Sequence, residues 1–463
     1  MDSTAIRNTR AASFKEAASK GMIHATFDPN GPGAVRLFLI PPKKNAHVEP
    51  WFLSINGAII IPLGPAWAWL MKNFIEALWE NATQNVEISA ELLEKINVQT
   101  IQGMNELYPE VTDARQFISD LDEIMKVVYA LVHNEPIPDN CIPTMSMAEY
   151  AERMGAPHRM DLIVSAMRVA GKHHCPNTCP RICYALGTPQ MDVESELSTA
   201  EWIKILDACW NAGIPQITFT GGEPFMRPDI VKLIESAHEH YTRLNTNGIL
   251  LTEVMAKALF EASLDNVQVT LYSLTPHIHD HLVGNKGAWH LTVAGIKNAI
   301  EAGLPISINT PLTSLNADGY LATIRFLHDL GVRNFTCSGL IPSGAATHDV
   351  NIGEALSGKE LFKVLSLALT LCDQLDAEIQ FTSPGWISDE LLESIGLSQP
   401  ICGAGLSNMA VGPLGDVLPC QSWLHQAGLG NLLTTRWERI WKAKKTKELR
   451  MIEPVGCPLS EVE

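Results

Sequence analysis

Between residues 161 and 347 the sequence alternates short apolar, β-branched runs with longer segments whose apolar residues recur every three or four positions. No other feature limits the fold as tightly. Strands are expected over residues 162–169, 216–220, 243–245, 267–272, 306–310 and 334–340, and helices over 198–212, 228–240, 252–262, 290–302 and 317–330. Ser198 followed by Glu201 has the form of a capping box, and Gly213, Gly303 and Gly331 stand where helices should stop. Parallel neighbours need a crossover connection, so strands joined in turn by helices imply a parallel α/β sheet, curled into a partial or full βα barrel.

The flanks read differently. The chain has 463 residues, beyond the ~250–300 at which one hydrophobic core stops growing. Residues 1–150 are expected to form an N-terminal α+β domain, 155–350 the barrel and 351–463 a C-terminal region. In the first, apolar runs at 34–40, 50–55 and 58–63 read as strands, and periodic segments at 66–81, 89–104 and 114–133 as helices. In the last, a helix over 359–375 and a strand over 378–382 precede a glycine-rich tail. The first twenty residues lack the apolar stretch of a secretory signal and no run is long enough to span a bilayer, which predicts a soluble cytoplasmic protein without a membrane partner. A net charge of -17 without a basic stripe argues against nucleic acid as a partner. Ten cysteines are too sparse for a disulfide scaffold in so long a chain.

Three of those cysteines, Cys175, Cys179 and Cys183, fall in one short loop after the first strand of the array. By spacing alone they fit a zinc knuckle, with His173 or His174 as a fourth ligand, as well as they fit an iron-sulfur cluster with one open position. A second motif, Gly221-Gly222-Glu223-Pro224, ends the second strand: glycines admit close backbone approach, and a carboxylate can accept from an ammonium group. Both motifs follow strands of one parallel sheet. They therefore share its C-terminal face, where such folds place their chemistry.

With the segments TFTGGEPFMRPDI, LNTNGILLT, VQVTLYSLTPHIHDHLVGNKGAW, ISINTPLTSLN and GLIPSGAA following the cysteine loop in order, the sequence resembles the radical SAM superfamily over residues 162–347. The resemblance implies a partial (βα)6 TIM-like barrel, a 4Fe-4S cluster on Cys175, Cys179 and Cys183, and S-adenosylmethionine (SAM) chelating the open iron. It also implies an oxidoreductase fed by a reducing partner such as flavodoxin or ferredoxin. Gly221, Gly222 and Glu223 would meet the methionine amino group of SAM, and Thr270, Ser273 and Asn309 its ribose and carboxylate, with Thr246 and Asn247 as further pocket residues. One departure is plain. The family spacing is C-x3-C-x2-C with an aromatic residue before the last cysteine, whereas here it is C-x3-C-x3-C, with Ile182 before and Tyr184 after.

Cys402, Cys420 and Cys457, spaced by the run Val411 to Cys420 and by Gly430-Asn431, resemble the auxiliary-cluster region called SPASM or, when shortened, Twitch. Because the sequence carries no cysteine after Cys457, one auxiliary cluster is expected, its fourth ligand drawn from Cys337, Cys372, water or substrate. Cys141 and Cys209 read as core cysteines. Radical SAM proteins with such a tail largely modify peptides or proteins, by crosslinking, thioether formation, epimerisation or oxidation, so the resemblance implies modification of a ribosomal peptide. The N-terminal order of three strands and then helices is that of the small winged-helix, PqqD-like module that captures leader peptides along a sheet edge, and it equally fits a dimerisation or capping domain. The alternatives are a small-molecule radical SAM enzyme in cofactor or natural-product biosynthesis and a non-enzymatic metal-binding scaffold.

Overall fold

The computed structural model describes residues 3–27, 35–81, 89–133, 135–137, 147–347, 353–400, 402–425 and 427–450. Two compact units emerge, one comprising Met1–Arg159, Asp207–Gln216 and Glu239–Tyr241, the other Met160–Leu206, Ile217–His238 and Thr242–Glu463.

The first unit begins with α1 (Ser3–Ser19) and an antiparallel meander of β1 (Ile23–Phe27), β2 (Val35–Ile40), β3 (Trp51–Ile55) and β4 (Ile59–Leu63). Helices α2 (Pro65–Asn81), α3 (Ala90–Leu107), α4 (Arg115–Val132) and α5 (Met147–Arg153) follow. The expected strands and helices land close to β2–β4 and α2–α4, whereas α1 and β1 have no counterpart among the expectations. Of the described side chains of α1 only Phe14 and Ala17 are buried, so the helix carries almost no apolar periodicity. Its anchor is tertiary: the Phe14 ring packs against Trp51 and Trp69, at centroid distances of 6.1 and 4.9 Å.

The second unit is built on a nine-stranded sheet, beside a small three-stranded one. From Arg159 onward the elements are β5 (Arg159–Ser165), the short strands β6 (Arg168–Val169), β7 (Lys172–His173) and β8 (Asp192–Val193), paired as β7-β6-β8, then α6 (Thr199–Ala212), whose last residues from Asp207 count with the first unit, β9 (Gln216–Gly221), α7 (Ile230–Ser236), β10 (Tyr241–Thr246), α8 (Glu253–Glu261) and β11 (Asn266–Thr270). Next come α9 (Pro276–Val283), α10 (Ala288–Glu301), β12 (Ile306–Pro311), α11 (Tyr320–Asp329), β13 (Asn334–Ser338), α12 (Gly358–Gln374) and β14 (Glu378–Phe381). The tail adds α13 (Asp389–Glu393), β15 (Asn408–Val411), β16 (Val417–Leu418), α14 (Trp437–Lys442) and α15 (Lys444–Arg450). Strand order is β14-β13-β12-β11-β10-β9-β5-β15-β16, parallel from β10 through β14, with an antiparallel hairpin at β15–β16.

The six strands β5 and β9 to β13, alternating with helices, are the partial (βα)6 barrel, and β14 and the β15–β16 hairpin extend it on either side. The capping box forms as the sequence predicts: the Glu201 carboxylate accepts from the Ser198 backbone N–H at 2.8 Å and the Ser198 hydroxyl accepts from the Glu201 N–H at 3.4 Å. Helix α9 was not among the expected elements; it is short, its apolar side is only Ile278, Leu282 and Val283 among histidines, and Pro276 at its first turn marks its start. Among the described residues no helix is long and apolar enough to cross a membrane.

Alternation along the strands divides side chains between two environments. Val267, Val269, Ile308 and Phe335 are buried on the helix side, while Gln268, Thr270, Asn309 and Ser338 line the interior cavity. Ile308, wholly buried between Val269 and Phe335 in register, should cost about 2–5 kcal/mol on replacement by Ala. Ser357→Ala, which removes the cap hydroxyl of α12, should cost only about 0.5–2 kcal/mol. Urea unfolding followed by circular dichroism checks the ranking, and a Ser357→Ala loss as large as that of Ile308→Ala would contradict it.

Candidate functional site

The cysteine loop is shaped by a turn far away in sequence. The Val283 carbonyl accepts from the N–H groups of Thr178 (3.1 Å) and Cys179 (2.8 Å), and the Asn285 amide donates to the Pro176 carbonyl and to Asn177 Oδ1, both at 3.1 Å. Gly284 between them has no room for a side chain, since a Cβ would stand 2.2 Å from Thr178 Oγ1. Within the loop, Cys179 takes a left-handed backbone (φ 38°) and its carbonyl accepts from the Cys183 N–H at 3.2 Å. Sequence reasoning quoted Val283-Gly284-Asn285 without seeing this role; the Val-Gly-Asn break between two helical segments was its only signal.

Cys175, Cys179 and Cys183 all line one cavity of about 250 Å³. Facing them are Gly221, Gly222, Glu223, Asn247, Thr270 and Asn309, so the structure brings together most of the residues singled out from the sequence. Ser273 stands apart from this lining: its hydroxyl accepts from the Thr275 N–H at 3.0 Å and its carbonyl from the Trp289 indole at 3.1 Å, which makes it part of the turn into α9. His173 and His174 are engaged elsewhere, His173 with the Asn177 carbonyl at 3.1 Å and His174 with Glu196 at 3.4 Å.

Glu223 is buried, and three donors fix its carboxylate. Oε1 accepts from the Thr246 hydroxyl (2.7 Å) and the Phe225 N–H (3.2 Å), and Oε2 from the Asn247 N–H (2.9 Å). The strand end that presents it needs glycine: at Gly221 (φ 154°) a Cβ would lie 2.4 Å from the Ser165 carbonyl oxygen, and the Gly222 N–H donates to that same oxygen at 2.8 Å. Burial pushes the Glu223 carboxyl up to about 7, against the pull of its three donors. Burial also pushes the Cys175 thiol up to about 12, with Glu223 nearby adding to the effect, and raises Cys179 and Cys183. Among the described residues lining the cavity there is no Lys, Arg or His.

Tyr184, on the other side of the last cysteine from the family's aromatic position, also lines the cavity, with its hydroxyl 3.5 Å from the Gly221 carbonyl. Ile182 packs with Tyr272, Leu282, Val283 and Leu340 against Cys179. In the tail, the Gly405 N–H donates to the Pro419 carbonyl at 2.8 Å, tying the turn after Cys402 to the residue before Cys420. Cys420 Sγ accepts from the Ser422 N–H at 3.4 Å, and Gln421 and Ser422 reach the cavity wall. Cys457 and Cys141 lie outside the described residues. Cys337, Cys372 and Cys209 are buried; Cys337 and Cys372 sit with the Tyr320 hydroxyl on the helix side of β13, away from the lining to which Ser338 contributes.

Comparison with known proteins defines the class. Residues 169–327 match the Radical SAM superfamily and residues 402–458 an iron-sulfur cluster-binding domain, SPASM. The chain thus contains a radical SAM domain and, after it, a SPASM-type region. It is 29% identical over 265 residues to the PqqA peptide cyclase of Ruegeria pomeroyi, covering 56% of this chain and 67% of that one. Against the PqqA peptide cyclase of Granulibacter bethesdensis it is 34% identical over 139 residues, 30% of this chain and 37% of the relative. Among solved structures, Streptococcus suis SuiB bound to precursor peptide SuiA superposes with a TM-score of 0.61 at 15% identity, covering 89% of this chain and 92% of that one, which is a likeness of fold.

These domains imply a SAM-binding 4Fe-4S cluster, SAM and auxiliary iron-sulfur chemistry. The donor chemistry suits the first two: three thiols and a buried carboxylate line a cavity without a cation of its own, although among the described residues no three such side chains already stand as a group that could hold a metal ion.

In protein free of cluster, the folded state holds the Glu223 proton up to about pH 7, whereas a carboxyl with the ordinary value of 4.5 releases it earlier. The native state then binds more protons across that window, so stability falls as pH rises from 4.5 to 7, by about 3 kcal/mol. Glu223→Gln removes this component. Urea unfolding at pH 5 and pH 8 should show a flatter profile for the variant, and parallel profiles would place the titration elsewhere.

Proposed function

We propose that this chain, with a 4Fe-4S cluster held on Cys175, Cys179 and Cys183, cleaves SAM reductively and uses the resulting radical to modify a ribosomal peptide. The observation that carries the reading is the cavity with three thiols, one buried carboxylate and no cation among its described lining. When bound, the cluster and SAM supply a 5′-deoxyadenosyl radical able to take a hydrogen atom from substrate.

The protein's own part is to hold and to exclude. Glu223, oriented by Thr246 and Asn247, would accept from the SAM ammonium in a charge-assisted bond. Gly221 and Gly222 would let backbone approach the ligand, Thr270 and Asn309 would meet its polar groups, and Ile182, Tyr272 and Leu340 shield the wall near Cys179 from water. Cys402 and Cys420, with Cys457, would hold an auxiliary cluster beside the substrate, and a flavodoxin or ferredoxin would deliver the electron. Support for a peptide substrate comes from the likeness to PqqA peptide cyclases and from the fold shared with SuiB. For the N-terminal unit, the meander β1–β4 with its helices is consistent with peptide capture along a sheet edge.

The test begins with anaerobically reconstituted protein, dithionite and SAM, which should yield 5′-deoxyadenosine. The Cys175, Cys179 and Cys183 triple Ala variant should lose that product and about half of its iron. Synthetic precursor peptides from neighbouring short reading frames should then show a mass change only with the intact enzyme. Zinc in place of iron, or cleavage persisting in the triple variant, would overturn the assignment.

A further inference from the structure

Two thiol-bearing loops meet at one turn. Ser343 is buried, and its hydroxyl lies 3.2 Å from the Tyr184 carbonyl and 3.0 Å from the Ser422 carbonyl, so two acceptors share one proton. Two residues on, the Ala345 N–H donates to the Cys183 carbonyl at 2.9 Å. Gly344 (φ 58°) makes the approach feasible, since a Cβ would stand 2.4 Å from the Cys183 carbonyl oxygen and 2.5 Å from that of Tyr184. On the far side, the Ser422 N–H points at Cys420 Sγ, 3.4 Å away. A continuous route therefore runs from the backbone of Cys183 and Tyr184 through the Ser343 hydroxyl to Ser422 and the Cys420 sulfur.

We propose that Ser343 is a positioning residue that fixes, from the loop of the first cluster, the hydrogen bond received by the Cys420 sulfur. The inference rests on reading Cys420 as a ligand of the auxiliary cluster. Ser422 carries both the carbonyl held by Ser343 and the N–H that meets sulfur, so fixing one limits the rotation of the other. An N–H dipole directed at a ligating thiolate stabilises the more negative, reduced state of a cluster and raises its potential.

The experiment is a potentiometric titration, read by electron paramagnetic resonance, of reconstituted wild type, Ser343→Ala and Ser343→Thr, with iron and sulfide counted in each. Ser343→Ala should keep both clusters while the auxiliary potential moves to more negative values, and Ser343→Thr, which restores the donor, should return it towards wild type. In cluster-free protein, hydrogen exchange at Ser422 and Trp423 should quicken in Ser343→Ala. Should that variant fail to retain its clusters, Ser343→Cys, with a weaker donor of similar size, is expected to show the same negative shift. Potentials and exchange unchanged from wild type would overturn the role of Ser343. Wild-type protein holding only the first cluster would instead overturn the auxiliary-cluster reading, and this inference with it.

Discussion

Everything in the barrel's cavity is arranged around an electrostatic demand that the polypeptide does not meet by itself. Three thiols and a carboxyl are enclosed together, and the described lining supplies hydrogen-bond donors but no cation. Left alone, such groups keep their protons, which is what burial does to Cys175 and Glu223. Deprotonating them all without a compensating positive guest would cost several kcal/mol per charge. Iron and an ammonium group bring that charge, and loading must release protons.

The scaffold is organised to hold this demand in place. The helix-side layer of Val267, Val269, Ile308 and Phe335 fixes the strands, whose other face presents amides and hydroxyls to the cavity. The β15–β16 hairpin is bound to the cysteine loop by an apolar cluster in which Ile163, Met167, Ala410 and Leu418 pack with Cys175, Cys183 and Tyr184. A tail that looks separate in sequence thus belongs to the same compact unit as the barrel.

The barrel was legible because its strands are short and apolar and its helices periodic, and because Cys175 to Cys183 and Gly221 to Pro224 sit at strand ends. Contacts made by backbone at a distance were not legible. Nothing local about Val283 or Asn285 reveals that they grip the cysteine loop, and Ser343 reads as one more polar residue in a Pro-Ser-Gly turn. Helix α1 escaped for the opposite reason: it docks through Phe14 and Ala17 with no stripe to announce it. Ser273, a polar residue at a strand end, has bonds that serve the backbone of the following turn, which its sequence position does not announce.

The grip of Val283 and Asn285 on residues 176–179 uses only backbone and amide groups, none of which depends on metal. In small zinc domains the chain is unfolded until the ion arrives, and metal binding must supply the ordering free energy of the whole module. Here the ordering of residues 176–179 is borne by hydrogen bonds of the barrel itself, so a cluster has only to draw the thiolates together and not to fold the module around them.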